Sequence, residues 1–126
     1  MAKRYGFSRA ERLTRKVEFD RVCKEGRPYR APEVSILALP NGTARSRLGL
    51  VVGRRLGGAP TRNRMKRLIR EGFRLNKHLL TVGHDVVVFP RAWTDLRLAV
   101  IEPHLRKFFE ALSARPGPTG ARDSER

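Results

Sequence analysis

The sequence predicts an α+β fold in a single compact domain, with helices packed on a mixed β-sheet. Three observations carry that expectation. The chain has 126 residues, 40% of them hydrophobic, which suits one domain around one packed core. Its periodic segments run helix, two or three strands, helix, strand, helix. The long central helix joins two strand runs, and a strand–helix–strand unit of that kind sets its strands parallel within an otherwise antiparallel sheet.

Residues 1–12 read as a basic, irregular arm carrying Lys3, Arg4, Arg9 and Arg12, able to lie along an anionic surface. From Leu13 the spacing becomes helical. Leu13, Val17, Phe19, Val22 and Cys23 are its apolar positions, and Gly26 supplies a C-terminal stop. Phe19 has two places open to it, the core beneath the helix or the edge of a groove beside Lys16. Helical spacing alone favours the core.

Residues 27–32 can form only a short edge strand or an extended link, because Pro28 and Pro32 lack backbone donors. Residues 34–39 read as a strand, Pro40-Asn41-Gly42 as a turn, and residues 47–52 as the returning strand, which suggests an antiparallel pair. Gly49 and Gly53 leave gaps in the strand surface, each marking a bulge or a place where a partner approaches the backbone.

A helix then starts near Ala59, with Pro60 in its first turn and Thr61 or Gly58 at the cap, and continues to about His78 or Leu80 despite Gly72. Met65, Leu68 and Ile69, with Phe73 toward one edge, form its apolar stripe. Asn63, Lys66, Arg67, Arg70, Arg74 and Lys77 gather on the opposite side. Like charges at these spacings destabilise a helix by about a few tenths of a kcal/mol per pair. A solvated face would interleave both signs, yet Glu71 is the only acid between Arg62 and Lys77. A polyanionic partner is the better reading. The glycine pair Gly57-Gly58 ahead of this helix can bind phosphate, although the spacing of a P-loop is absent.

Val82-Gly83-His84 turns the chain into residues 85–89, a nearly all-apolar run that fits a central strand buried on both faces. Residues 90–93, through Trp93, end it. Residues 96–112 form one last helix, or two pieces meeting at Pro103, with Leu105, Phe108, Phe109 and Leu112 on the apolar face. Beyond Ser113 the composition is that of a disordered tail, residues 114–126.

The totals narrow the function. Lys and Arg number 28 against 12 Asp and Glu, a formal net charge of +16, with 22 Arg to 6 Lys. Arg carries a planar, bidentate fork suited to phosphates and bases, so nucleic acid is the expected partner and an acidic membrane surface a distant second. The single cysteine, Cys23, excludes an internal disulfide and fits a reducing compartment. No run of membrane length and no secretory start is present, so a cytoplasmic location is expected. His78, His84 and His104 lack metal-ligand spacing, and Asp20, Asp85 and Asp95 stand apart in sequence, so no metal site and no two-metal nuclease centre is expected. Glu71 is expected to pair with Arg67 or Arg74. Any catalysis would have the chain as a helper.

Arg62-Asn63-Arg64, followed by Lys66, Arg67, Arg70 and Glu71, resembles the RNR motif of the bacterial ribonuclease P protein component. Three more segments agree in order: residues 13–22 with the family's N-terminal helix, residues 47–55 with the strand and loop before the RNR helix, and residues 85–91 with its last strand. The resemblance covers about residues 10–112. It implies the order α-β-β-β-α-β-α over a domain of residues 1–113, a mixed four-stranded sheet, and a left-handed βαβ crossover that the right-handed default would not have given. It also implies a monomeric protein joined 1:1 to a catalytic RNA, the holoenzyme removing the 5′ leader of precursor tRNA by chemistry that the RNA and its Mg²⁺ ions perform.

Carried over residue by residue, Arg62, Asn63, Arg64, Lys66, Arg67 and Arg70 match the region that meets the RNA subunit. Arg54, Arg55, Arg74 and Arg91 are auxiliary cations. Lys16, Phe19 and the sheet face beside them match the cleft that takes the single-stranded leader, where an aromatic platform suits sequence-tolerant stacking. The resemblance thus raises the groove reading of Phe19 above core packing. Two positions depart from the family. Cys23 stands where many relatives carry a second aromatic, and Leu37 where several carry one in the second strand; both are expected as cleft walls.

Overall fold

In this computed structural model, which describes residues 11–91 and 97–114, the elements are α1 (Lys16–Glu25), β1 (Arg27–Arg30), β2 (Val34–Pro40), β3 (Arg47–Leu50), α2 (Ala59–Asn76), β4 (His84–Pro90) and α3 (Leu98–Ala114). Most of the basic arm, Trp93, Asp95, Leu96 and the tail from residue 115 lie outside the described residues.

The strand order is β1-β2-β4-β3, with β2 antiparallel to both β1 and β4, and β3 parallel to β4. The expected antiparallel pairing of residues 34–39 with 47–52 is therefore wrong. β4 lies between them. Its run of apolar residues needs cover on both faces and hydrogen-bond partners on both sides, and β2 and β3 supply the partners. The turn at Pro40 does reverse the chain, but a reversal does not oblige the two arms to pair.

Both sheet edges are blunted. β1 carries Pro28 and two arginines. On β3, the Leu13 N–H donates to the Leu48 carbonyl (2.9 Å), and Arg12 bridges Leu48 in parallel. Leu13 is thus not helical, a second correction. Its backbone serves the β3 edge, Arg15 is extended, and α1 begins only at Lys16. The Leu13 side chain is nonetheless buried. Val17, expected among the apolar positions, is 67% exposed, because α1 turns only Val22 fully onto the sheet.

Strand register sorts the side chains into two layers. Val34, Ile36, Ala38, Leu48, Val86 and Val88 face α2 and α3, where they meet Met65, Ile69, Phe73, Ile101, Leu105, Phe108 and Phe109 in the main core. Phe73 is fully buried, deeper than its edge position in the helical pattern suggests, and meets Phe109 edge-on at 6.1 Å between ring centroids. α2 runs through Gly72 because α3 packs there: a Cβ at Gly72 would stand 2.7 Å from Leu105 Cδ1. α3 is one helix through Pro103. It is tied to the β1 edge by the Tyr29 hydroxyl, 2.9 Å from His104 Nδ1, while His104 Nε2 lies 2.9 Å from Glu33 Oε1.

The opposite face holds a smaller cluster of Leu13, Val22, Leu39 and Val87, with Phe19, Leu37 and Phe89 half-buried at its margin. α1 is pinned to this face by charge. Arg47 donates from Nε and Nη2 to the buried Asp85 (2.9 and 2.8 Å) and from Nη1 to Glu18 of α1 (3.0 Å), and the Asn41 amide also donates to Asp85 (2.8 Å). Asp85, isolated in sequence, is the centre of this network. Its hydrogen bond, ahead of its charge, raises the Arg47 pKa.

Candidate nucleic-acid interface

α2 opens at Gly58 with Pro60 in its first turn, as expected. Gly57 before it takes a positive φ of 142°, and its carbonyl accepts a hydrogen bond from Arg62 Nε at 3.1 Å. Met65, Ile69, Gly72, Phe73 and Asn76 are buried, which rotates Asn63, Arg64 and Arg67 to the exposed side with Lys66 and Arg70 half-exposed.

The strip of cations is not uniform. Arg74 binds Glu71 through two hydrogen bonds, and Lys77 pairs with Glu11. The hydrogen bond from Arg74 holds the Glu71 carboxyl below the usual carboxylate range. Among the described residues, Arg64, Lys66, Arg67 and Arg70 pair with no acid. Positive potential is therefore concentrated on the first three turns of α2, while acids compensate the last.

Arg12 reinforces the same region. Bridging partners project to the same side of a sheet, so Arg12 follows Leu48 toward α2. Burial first, and then the Arg12 charge, lower the Arg70 pKa. In sequence Arg12 belongs only to the arm, and nothing in the spacing shows that the arm's last residues pair with β3.

The second surface is the α1 side of the sheet. Val87 is opposite Leu37 on one side and Gly49 on the other, and Phe89 is opposite Ser35. Phe19 of α1 rests on Gly49, where a Cβ would stand 2.6 Å from its ring. The approach that the glycine admits is thus made by this chain's own ring. α1 covers the end of the face near Leu39 and Asp85, both buried, and leaves the Phe89 end open: Phe89 and Ser35 are half-buried, Arg30 and Val51 exposed. Arg91 follows β4 at that end, its N–H donating to the Glu33 carbonyl (2.8 Å). Arg54 and Arg55 sit exposed on a 3-10 turn just past β3.

Of the residues expected to line a cleft, the structure brings Phe19 and Leu37 into one cluster. Lys16 points to solvent and pairs with Asp20 at 3.0 Å. Cys23 is exposed and outside the apolar cluster; desolvation, then the Asp20 charge, push its thiol up. Phe89 was missed as a site residue. It lay within a run read as buried on both faces, although its period-two parity with Val87 assigns it to the α1 face. Among the described residues, no three of His, Cys, Asp or Glu gather where they could hold a metal ion, and no helix is long and apolar enough to cross a membrane.

The comparisons with known proteins agree on one family. A family model described as Ribonuclease P matches residues 7–113. The ribonuclease P protein component of Thermotoga maritima is 44% identical over 85 residues, which cover 68% of this chain and 73% of that protein. That of a Roseiflexus species is 36% identical over 116 residues, 92% of this chain and 93% of its own length. Among solved structures, the T. maritima RNase P protein superposes with a TM-score of 0.71 at 34% identity, covering 80% of this chain and 96% of that one. The Staphylococcus aureus RNase P protein gives a TM-score of 0.71 at 27% identity, covering 82% and 95%.

Proposed function

The chain belongs to the ribonuclease P protein family, and on that premise we propose that it is the protein subunit of an endoribonuclease holoenzyme that removes the 5′ leader from precursor tRNA. The observation that carries the reading is the pairing of two surfaces on one small domain. One is the α2 face, where Arg64, Lys66, Arg67 and Arg70 stand without acidic partners among the described residues, beside Asn63 and Arg62. The other is the half-covered sheet face with Phe19 and Leu37 at its floor.

Each surface fits a different RNA. Planar guanidinium forks on a rigid helix suit the fixed phosphates of a folded RNA subunit, held 1:1. An open sheet face with an aromatic ring and cations at its rim suits a flexible single strand, because every base presents a face to stack. Leader binding is therefore assigned to the cleft of Phe19, Leu37, Cys23 and Lys16, and RNA-subunit binding to Arg62, Asn63, Arg64, Lys66, Arg67 and Arg70, with Arg54, Arg55, Arg74 and Arg91 as auxiliary cations. Mg²⁺ and the hydrolytic chemistry are assigned to the RNA. The protein's contribution is to neutralise phosphates and to hold the substrate in register.

The test is cleavage of a precursor tRNA at low Mg²⁺ by protein alone, by the RNA subunit alone and by both. Leader release only in the mixture is expected. Cleavage by protein alone would place an active site in the chain. RNA binding without rescue would reduce the protein to a binding module.

A further inference from the structure

We infer that Phe89 on β4 is the second base-stacking platform of the leader cleft, standing in for the aromatics that Cys23 and Leu37 do not provide. The inference rests on the reading of the open sheet face as a single-strand site and identifies the ring that completes it.

Parity and register place Phe89. It shares the α1 face with Val87, Leu37 and Gly49, and lies two residues beyond Val87 along β4. Val87 is fully buried under α1, whereas Phe89 is half-buried and joins the apolar cluster only at its margin, as Phe19 does. A phenylalanine whose sole task was core filling would lie beneath the helix, where β4 already has a valine. Instead the ring sits one step past the end of the helical cover.

Phe19 rests on Gly49, which pairs with Val87. Two residues of strand therefore separate the level of Phe19 from that of Phe89, a rise of about 7 Å. One nucleotide of an extended backbone can span that distance, so neighbouring bases of one strand can meet the two rings. The surroundings select the occupant. Exposed Val51 and half-buried Leu37 extend the apolar floor, while exposed Arg30 is opposite Ser35 and exposed Arg91 follows β4 at the same open end, with Arg54 and Arg55 exposed just past β3. Rings flanked by guanidinium groups match a strand of bases on a phosphate backbone. A neutral peptide would leave those cations unmatched.

The experiment uses the reconstituted holoenzyme and compares binding of precursor tRNA with binding of the same tRNA lacking its leader. Phe89→Leu keeps apolar volume and removes the ring. It is expected to weaken precursor binding roughly fivefold or more while leaderless binding is unchanged, and Phe89→Tyr is expected to restore discrimination. Loss of equal size for both tRNAs, or no loss for either, overturns the inference. Phe19→Leu separates the two levels of failure. If it impairs discrimination and Phe89→Leu does not, the cleft reading stands and the assignment of Phe89 falls. If the unaltered holoenzyme itself does not discriminate, both fall. Should Phe89→Leu fail to fold, photocrosslinking of the unaltered protein to a 4-thiouridine leader decides the matter: a crosslink in the β4 peptide is expected, and crosslinks confined to other segments overturn the assignment.

Discussion

The Phe19 ring occupies the space that a side chain at position 49 would fill, since a Cβ on Gly49 would stand 2.6 Å from Phe19 Cε1. A helix residue and a strand residue are thereby fitted to each other across the cleft. Gly49→Ala is expected to displace the ring and to destabilise the fold by about 1–3 kcal/mol, as overpacking does. Urea unfolding measures it. In a Phe19→Ala background the same substitution should be close to neutral, and a full penalty there would show that Phe19 is not what the methyl meets.

Arg47 and Asp85 lead to the second prediction. Asp85 is 1% exposed and receives two bonds from Arg47 and one from Asn41. Arg47→Ala leaves that carboxylate buried with the Asn41 amide, at a cost of about 3 kcal/mol. The Arg47→Ala, Asp85→Asn pair should cost less than the sum of the single changes in a double-mutant cycle. Additivity would mean that the two do not act as a unit.

On α2, the free and the compensated cations should separate in RNA assembly. Arg67→Ala and Arg70→Ala are each expected to weaken binding of the RNA subunit and to lower the slope of log affinity against log salt by about 1, with melting temperature preserved. Glu71→Gln should do the reverse, because it frees the Arg74 fork. A salt slope unmoved by Arg67→Ala would remove that residue from the interface.

Acid should destabilise the protein through His84. Burial, offset in part by the Val82 carbonyl and Asp85, holds this imidazole below its ordinary pKa. The native ring is then neutral at pH values where the unfolded ring, with a pKa of about 6.5, is already protonated. Stability is full above that pH and declines as pH falls below it, until the native ring also titrates. Melting temperatures between about pH 7 and pH 5 should drop less steeply in His84→Gln than in the parent chain.

The type of each element, and the position of most, were legible in the chain because periodicity reports them locally; the start of α1 was not, since Leu13 keeps helical spacing while its backbone serves the β3 edge. α2, the edge strand with Pro28, and the apolar run of β4 fell where spacing placed them. Strand order was not legible. Nothing between Leu39 and Arg47 tells that a strand from residues 84–90 will enter between them, since that choice is settled by what covers β4 on both faces. The same limit hid the buried partner of Arg47 and the cover at Val87 that runs out before Phe89. The cationic strip was visible as a run of charges, but which cations keep their charge free was not. Arg74 is answered by its own neighbour three residues back, a pairing that spacing allowed, whereas Lys77 is answered by Glu11 from far upstream.

The central place of β4 also sets an order of events during synthesis. β2 and β3 each hydrogen-bond to β4 and not to one another. A nascent chain that has emerged only as far as α2 can close the β1–β2 hairpin, but it holds β3 without a ladder and the α2 cations without the sheet that orients them. Both surfaces assigned to RNA therefore come into being together, when residues 84–90 clear the ribosome. A chain stopped before His84 would carry most of the positive charge and neither binding surface.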